Sequence, residues 1–300
     1  MRLRLVPEHT NIDFVGWRWW AFGFTLFLMV VTIVSLFVKG LNLGIDFKGG
    51  ILVEAKAAQV IDVGALRADL SALNLGEVML QSFDDGTGVM IRLQRQEGGE
   101  EAQQKAVQLV REKMGASYDY RRVEVVGPTV GRELFHAGIL ATLCAVLAIG
   151  AYVAMRFEWQ FGIAIFLATL HDVFVTLGFY SVLQLDFNLT AVAALLTLAG
   201  YSTNDTVVVF DRIREMLRRQ KTDNLAKTVN LAVNQTLSRT VMTSLITLIA
   251  LIPLVLFGGE TLWNFSLALC WGIVVGTFSS VYVAASLLLY MPPLRRVEKK

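Results

Sequence analysis

Asp205 lies in the stretch Phe187–Phe210 (FNLTAVAALLTLAGYSTNDTVVVF), most of which is long and apolar enough to span a bilayer. An ionisable side chain in hydrocarbon costs roughly 2.5–3.5 kcal/mol on insertion scales. Near the end of the stretch, Tyr201-Ser202-Thr203-Asn204-Asp205-Thr206 is polar on every helical face, so a helix cannot turn all of these groups to lipid. Asp205 therefore needs a buried partner, a proton or an ion. Arg239 opens the next long apolar run, at a compatible depth, and the pair could meet as a buried ion pair. A neighbouring guanidinium favours the charged form of a carboxylate and desolvation favours the neutral form. Where the two effects nearly cancel, a small helix shift suffices to bind or release a proton. Two plainer readings stay open: Arg239 snorkels to the headgroups, and Asp205 is a structural hydrogen-bond hub.

His171-Asp172 raises the same question in the run Phe161–Leu183. Adjacent residues point about 100° apart on a helix, so the two are not expected to act as one bidentate group. A histidine at that depth can relay protons near neutral pH, or hold a fixed internal hydrogen bond. Asn204, Thr206 and Thr243 are further polar groups within the apolar runs. Ser202, Thr203 and Asn204 could also help Asp205 hold sodium.

Other chemistries lack their residues. Gly44-Ile45-Asp46-Phe47-Lys48-Gly49-Gly50 is glycine-rich but lacks G-x-x-x-x-G-K-[ST], and no helix is expected to follow it. No serine–histidine, cysteine–histidine or H-E-x-x-H set is suggested, so the chain reads as neither an enzyme nor a metal protein. Cys144 and Cys270 lie in apolar stretches and are expected to be buried, inert thiols. The basic loop Arg212–Lys227 is explained by topology and anionic lipid rather than nucleic acid.

The elements that must position these residues follow from composition. The 300-residue chain is 55% hydrophobic and 17% charged, against about 25% charged in soluble domains. Six apolar runs reach spanning length: Trp19–Val38, Leu134–Met155, Phe161–Leu183, Phe187–Phe210, Thr240–Phe257 and Leu262–Tyr290. The first is too long for a signal-peptide core and lacks an A-x-A-like site, so it reads as an uncleaved anchor. Basic residues cluster at Arg2, Arg4 and Arg18, at Arg156, through Arg212, Arg214, Arg218, Arg219, Lys221 and Lys227, and at Arg295, Arg296, Lys299 and Lys300. The connections Gln184–Asp186 and Gly258–Glu260 carry none. By the positive-inside rule both termini are cytoplasmic and Lys39–Glu133 lies on the far side. The expected segments are a cytoplasmic N-terminus (1–18), a first span (19–38), an extracytoplasmic domain (39–133), a five-span bundle (134–290) and a cytoplasmic tail (291–300).

Within 39–133, Ile51–Lys56, Glu77–Phe83, Val89–Leu93 and Arg121–Val126 read as strands. Asp62–Leu75, with Asp62 as N-cap, and Glu100–Met114, stopped by Gly115, read as helices. Asp84-Asp85-Gly86-Thr87-Gly88 marks a hairpin. The order β-α-β-β-α-β is the ferredoxin-like split βαβ arrangement. After the fourth span, 211–238 forms a cytoplasmic segment. Its part Asp223–Ser238, with Leu225, Val229, Val233 and Leu237 at every fourth position, is expected to lie amphipathically along the interface and to run into the fifth span.

The stretches GIDFKGG (Gly44–Gly50), VGPTVG (Val126–Gly131), LHDVFVTLG (Leu170–Gly178), GYSTNDTVVVFDRIRE (Gly200–Glu215) and NQTLSRTVMTS (Asn234–Ser244), in this order over essentially the full chain, resemble the SecF branch of the SecD/SecF family, part of the RND superfamily. The resemblance implies an α-helical membrane protein, an RND-type half-bundle of six spans with one extracytoplasmic α+β domain between the first two. It implies a bacterial inner-membrane location, a SecD partner, association with the SecYEG channel and YajC, and an unfolded preprotein as substrate. The family's proton-path acid falls on Asp205 and its functional arginine on Arg239. Its pair in the third span falls on His171 and Asp172. No cofactor is implied beyond a coupling ion: the resemblance implies protons driven by the proton motive force, while the residues alone leave sodium open. Competing readings are a passive scaffold in a translocon and half of an RND-type small-molecule exporter.

Overall fold

A computed structural model describes residues 10–76, 78–219 and 224–292. The basic residues Arg2, Arg4, Lys221, Arg295, Arg296, Lys299 and Lys300 lie outside the described residues, as do most of the expected tail and Glu77, the expected start of a strand. Helix α1 (Arg18–Val38) leads through strand β1 (Asn42–Leu43) and the short helix α2 (Ile45–Lys48) into an α/β unit. That unit comprises β2 (Gly50–Ala57), α3 (Val63–Ser71), β3 (Val78–Phe83), β4 (Gly88–Leu93), α4 (Gly99–Met114) and β5 (Tyr118–Val126). Helices α5 (Pro128–Arg156) and α6 (Trp159–Leu183), strand β6 (Asp186–Phe187), and helices α7 (Leu189–Arg219), α8 (Leu225–Phe257) and α9 (Gly259–Phe278) follow. A π-helical turn (Ser279–Ala284) and a final short helical stretch complete the last span.

The expected β-α-β-β-α-β order is present, and its four strands pair antiparallel in the order β3-β4-β2-β5. Strand alternation explains the layering. Ile51, Val53 and Ala55 of β2 and Val89, Ile91 and Leu93 of β4 face the two helices, meeting Leu66 and Leu70 of α3 and Ala106, Val110 and Met114 of α4. The opposite face places Leu52 and Met90 against Ile45 of α2. Asp62 caps α3 by accepting from the amides of Gly64 and Ala65 at 2.9 and 3.0 Å. The hairpin turns through left-handed backbone at Asp84, Asp85 and Gly86 (φ 49°, 53° and 87°), which the short Asp side chains and glycine tolerate.

Six helices among the described residues are long and apolar enough to cross a membrane. About two-thirds of the apolar window of α6 and of the last span is buried, against 17% in α1 and α8. Thus α6, α7 and the last span form the interior, and α1, α5 and α8 lie outside. Trp17, Trp19, Trp20 and Tyr290 are exposed together at one end, where Arg18 Nε donates to Tyr290 Oη at 3.1 Å. Amphipathic rings of this kind mark a membrane–water interface.

Two expectations need correction. The cytoplasmic segment runs into the fifth span as expected, since 225–238 begins α8, but it is not set apart from the spans, because 211–219 continues α7 and its apolar side does not lie on the interface. Its apolar stripe finds protein rather than lipid, because Val229, Ala232 and Val233 pack on Phe210, Ile213 and Met216 of α7. At 1.5 Å per residue, α7 and α8 run to roughly 45–50 Å, well beyond a hydrocarbon core of about 30 Å. The second correction concerns the thiols. Cys144 is exposed on the outer face of α5, whereas Cys270 is half-buried at the edge of the core formed by Leu198, Leu251 and Leu269.

The α/β unit is fastened to the bundle by polar contacts. β1 pairs in parallel with β6, matching Asn42 to Asp186 and Leu43 to Phe187. Arg92 of β4 forms a buried ion pair with Asp186. Gly131 lets α5 touch α2, because a Cβ there would sit 2.9 Å from the Phe47 carbonyl oxygen. Removing one partner of a buried pair leaves the other charge uncompensated, at about 3 kcal/mol. Arg92→Met is therefore expected to loosen this junction, with hydrogen exchange in residues 42–48 and 186–191 rising about 100-fold in detergent-solubilised full chain. Gly131→Leu should do the same by displacing α2. Unchanged exchange in both variants would show that the junction is held elsewhere.

Candidate functional site

Two carboxylates sit inside the bundle, and their surroundings differ. Asp172 of α6 is 0% exposed. Its Oδ2 accepts from Ser202 Oγ of α7 at 2.5 Å and from Ser279 Oγ of the π turn at 2.7 Å. Its Oδ1 lies 2.9 Å from Nδ1 of His171. Three helices thus converge on one carboxylate. The π turn takes part: Ser279 reaches Asp172, while the next residue, Ser280, lies 2.8 Å from Thr206 Oγ1 of α7. Thr169 of α6 and Thr203 of α7 add a hydroxyl contact at 3.1 Å.

Asp205 of α7 is also buried, at 3% exposure, but it is far less satisfied. Its Oδ1 lies 3.2 Å from Thr243 Oγ1 of α8, and that hydroxyl also lies 2.9 Å from its own helix carbonyl at Thr240. One proton is shared between two acceptors. Asp205 Oδ2 has no hydrogen-bond partner among the described residues. A buried carboxylate with one shared donor is costly to keep charged.

The expected ion pair is not formed. Arg239 makes no ion pair within 4.0 Å of Asp205, and its side chain is exposed on the outside of the bundle. The cause is geometric: Arg239 lies four residues before Thr243 on one face of α8, so Thr243 occupies the level of Asp205 and Arg239 lies one turn away. For His171 the fixed hydrogen bond, one of the two open readings, is present; its partner is the adjacent Asp172, so the two form one unit where separate orientations were expected. Among the supporting groups, Thr206 and Thr243 are part of this interior, whereas Asn204 is exposed on the outer face of α7. The groups expected to help Asp205 hold sodium are engaged elsewhere or turned out: Ser202 on Asp172, Thr203 on Thr169 and the Ala199 carbonyl, Asn204 outward.

The same helix that carries Asp205 is clamped at its far end. Asp46 of α2 accepts from the Leu189 amide at 2.9 Å, and Asn188 Oδ1 accepts from the Ala191 amide at 3.0 Å. These contacts cap α7, and they tie the glycine-rich segment to it. Near the start of α8, Asn234 accepts from the Ile12 amide at 2.9 Å and donates to the Ile12 carbonyl at 2.8 Å, holding residues 10–16 against the α7–α8 hairpin.

Sequence reasoning missed Ser279, Ser280, Asn234, Arg92 and Asp186 as working residues, along with Asn230, which accepts from the Val15 amide at 3.2 Å and donates to the Ile12 carbonyl at 3.1 Å. Ser279-Ser280 carried a signal, two adjacent hydroxyls deep in an apolar run. Arg92 and Asp186 carried none, because their pairing depends on how the sheet sits on the bundle.

Comparison with known proteins bears on this arrangement. The family described as "Protein export membrane protein SecD/SecF, C-terminal" matches residues 106–293, and the "SecD/SecF GG Motif" matches residues 34–59. The chain is 45% identical to protein translocase subunit SecF of Rhodobacter capsulatus, covering 100% of this chain and 94% of that one. It is 42% identical to the protein of the same name from Rickettsia typhi, covering 95% and 94%. Among solved structures, SecDF of Thermus thermophilus, described as a translocon-associated membrane protein, superposes with a TM-score of 0.85 at 36% identity. That match covers 95% of this chain and 39% of the other, so the chain spans well under half of the solved protein. A structure of SecDF in a super-membrane-facing form gives a TM-score of 0.69. Motifs, helices and relatives agree, and the chain belongs to the SecD/SecF family of protein export membrane proteins.

Proposed function

We propose that the chain is the SecF-type subunit of a bacterial inner-membrane protein translocase, working with a SecD-type partner and driven by protons that bind and leave Asp205. The observation that carries this reading is the buried Asp205 carboxylate, with Oδ1 on a shared threonine hydroxyl and Oδ2 unpaired. Its sequence neighbours are engaged elsewhere or turned outward, which favours a proton over sodium as the coupling ion. The half-bundle architecture supports the need for a second half. The chain matches 39% of the SecDF chain, and relatives at 41–45% identity are named as translocase subunits.

In this reading both termini are cytoplasmic and residues 39–133 form an extracytoplasmic domain. The basic residues Arg18, Arg156, Arg212, Arg214, Arg218 and Arg219 support that orientation. The strand order supports a ferredoxin-like class for the domain. SecYEG and YajC are the proposed neighbours and an emerging unfolded preprotein is the proposed load. No enzymatic step and no cofactor enters the cycle.

The cycle exchanges partners on Asp205. In the neutral state Thr243 suffices. When the proton leaves, the carboxylate attracts Arg239, one turn away on the same face of α8. A rotamer change or a slide of about 5.4 Å, one helical turn, would bring it in. Motion of α8 against α7 is then passed along α7 to its clamped end at Asp46, Asn188 and Asp186, and so to the α/β unit. One charge crossing 100 mV supplies about 2.3 kcal/mol, a bias of roughly fifty-fold between two states. That suffices to rectify diffusion of an unfolded chain.

Export into vesicles holding the chain with its partner tests the reading. Asp205→Asn should assemble normally and lose gradient-dependent export by at least about tenfold, with proton flux falling in parallel. Wild-type rates in that variant would leave only a passive scaffold. Arg239→Met should give the same loss, while Thr243→Val, which removes the alternative partner, should slow export about three- to tenfold. A second measurement separates ions: export should collapse with a protonophore and survive replacement of sodium by potassium. The reverse pattern would make sodium the coupling ion. Extrusion of a small molecule by the same vesicles would favour an exporter instead.

A further inference from the structure

The His171–Asp172 unit lies midway along α6, separate from the Asp205–Thr243 contact. His171 is buried, and its Nε2 has no hydrogen-bond partner among the described residues, while Nδ1 is fixed on Asp172. Asp172 is saturated by His171, Ser202 and Ser279. This arrangement fixes the ring in one orientation and leaves one nitrogen unused, as a carboxylate does for a base in many proton-transfer sites.

Charge counting gives the unit a purpose. With a neutral imidazole and an ionised carboxylate, the pair carries one negative charge deep in the bundle. Its partners on the packed elements are hydroxyls: Ser202 on α7 and Ser279 on the π turn. The surrounding elements also carry ionisable groups, among them Tyr201 and Asp205 of α7, Cys270 of α9, Tyr282 of the π turn, Cys144 and Tyr152 of α5 and Tyr180 of α6 itself, with Arg18 and Lys39 at the ends of α1 and Arg132, Glu133, His136 and Arg156 towards the ends of α5. None of them hydrogen-bonds to either side chain of the pair. Among the described residues no cationic side chain hydrogen-bonds or ion-pairs with the unit, and a single proton makes it neutral overall, whether it resides on Nε2 or on the carboxylate.

We propose that His171 and Asp172 together form a second proton-binding site in the bundle, with Nε2 of His171 as the accepting atom and Asp172 as its counter-ion. Proton uptake converts a lone buried anion into an imidazolium–carboxylate pair. The site is joined to the helix of Asp205 by hydroxyls. Ser202 holds Asp172; its carbonyl lies 3.1 Å from Thr206 Oγ1, and Thr206 meets Ser280. Asp205 lies between Ser202 and Thr206 in sequence, so a change in charge at either acid is felt across one turn of α7. The inference deepens the ion-coupling reading above, yet its test does not depend on transport.

The test is nitrogen NMR of ¹⁵N-histidine-labelled full chain in lipid nanodiscs. The chain has 3 histidines, so His9→Gln with His136→Gln leaves His171 as the reporter. Lowering the pH should convert the ring from one protonated nitrogen to two. Asp172→Asn should lower the doubly protonated fraction at pH 6 by about tenfold, because the counter-ion is gone. Ser279→Ala, which keeps the charge and removes one donor, should raise that fraction, and it serves if Asp172→Asn does not fold. A ring that stays singly protonated from pH 5 to 8, or a protonated fraction indifferent to both substitutions, overturns the proposal. If His171 protonates while Asp205→Asn exports normally, the coupling reading falls and this site stands. If His171 never protonates while export needs Asp205, the converse holds.

Discussion

The cost of placing a carboxylate in a bilayer governs the bundle. Asp172 and Asp205 meet that cost in opposite ways. Asp172 is surrounded by donors drawn from α6, α7 and the π turn, and so pins those elements together. Asp205 is left with one shared donor on Oδ1 and none on Oδ2 among the described residues, so its charge is expensive. One acid fastens three elements together, and the other leaves the α7–α8 contact thinly bonded.

Helix α7 connects these local energetics to the rest of the chain. It contributes Ser202, Thr203 and Thr206 to the buried hydroxyl cluster and presents Asp205 to α8. Its start is capped by Asp46 and Asn188, beside the Arg92–Asp186 ion pair and the two-residue β1–β6 pairing. The glycine-rich segment 44–50 therefore acts as a joint. Gly44 approaches Asn188 closely, and Gly50 adopts φ 134°, where a side chain would strike the Leu93 carbonyl. These glycines serve packing of chain on chain, which is why they resemble a phosphate loop only in composition.

Much of this was legible in the sequence because it follows from one-dimensional rules. Apolar length located the six spans, and alternation with capping located the α/β elements, including the Asp62 cap and the Gly115 stop. Asp205 declared itself by the rarity of a charge in such a run. What stayed hidden depends on how helices rotate against one another. The level of Arg239 relative to Asp205 is a matter of one turn, which spacing along the chain cannot resolve between different helices. The exposure of Cys144 and Asn204, the union of His171 with Asp172, and the pairing of Arg92 with Asp186 are likewise outcomes of packing. The stripe Leu225–Leu237 was read correctly as amphipathic but assigned the wrong neighbour, because periodicity reports an apolar face and not what covers it.

The attachment of residues 10–16 has a different character from the rest. Asn230 and Asn234 hold it through the Ile12 and Val15 main chain, with neutral amides on one side and peptide groups on the other. Such a clasp has no group that titrates in the physiological range and nothing for dissolved salt to screen. It also reads backbone rather than side chains, so the identity of residue 12 is of little consequence to it. A change of charge a few turns further along α8 would leave these amide–peptide bonds untouched, so the grip on residues 10–16 is set by shape alone.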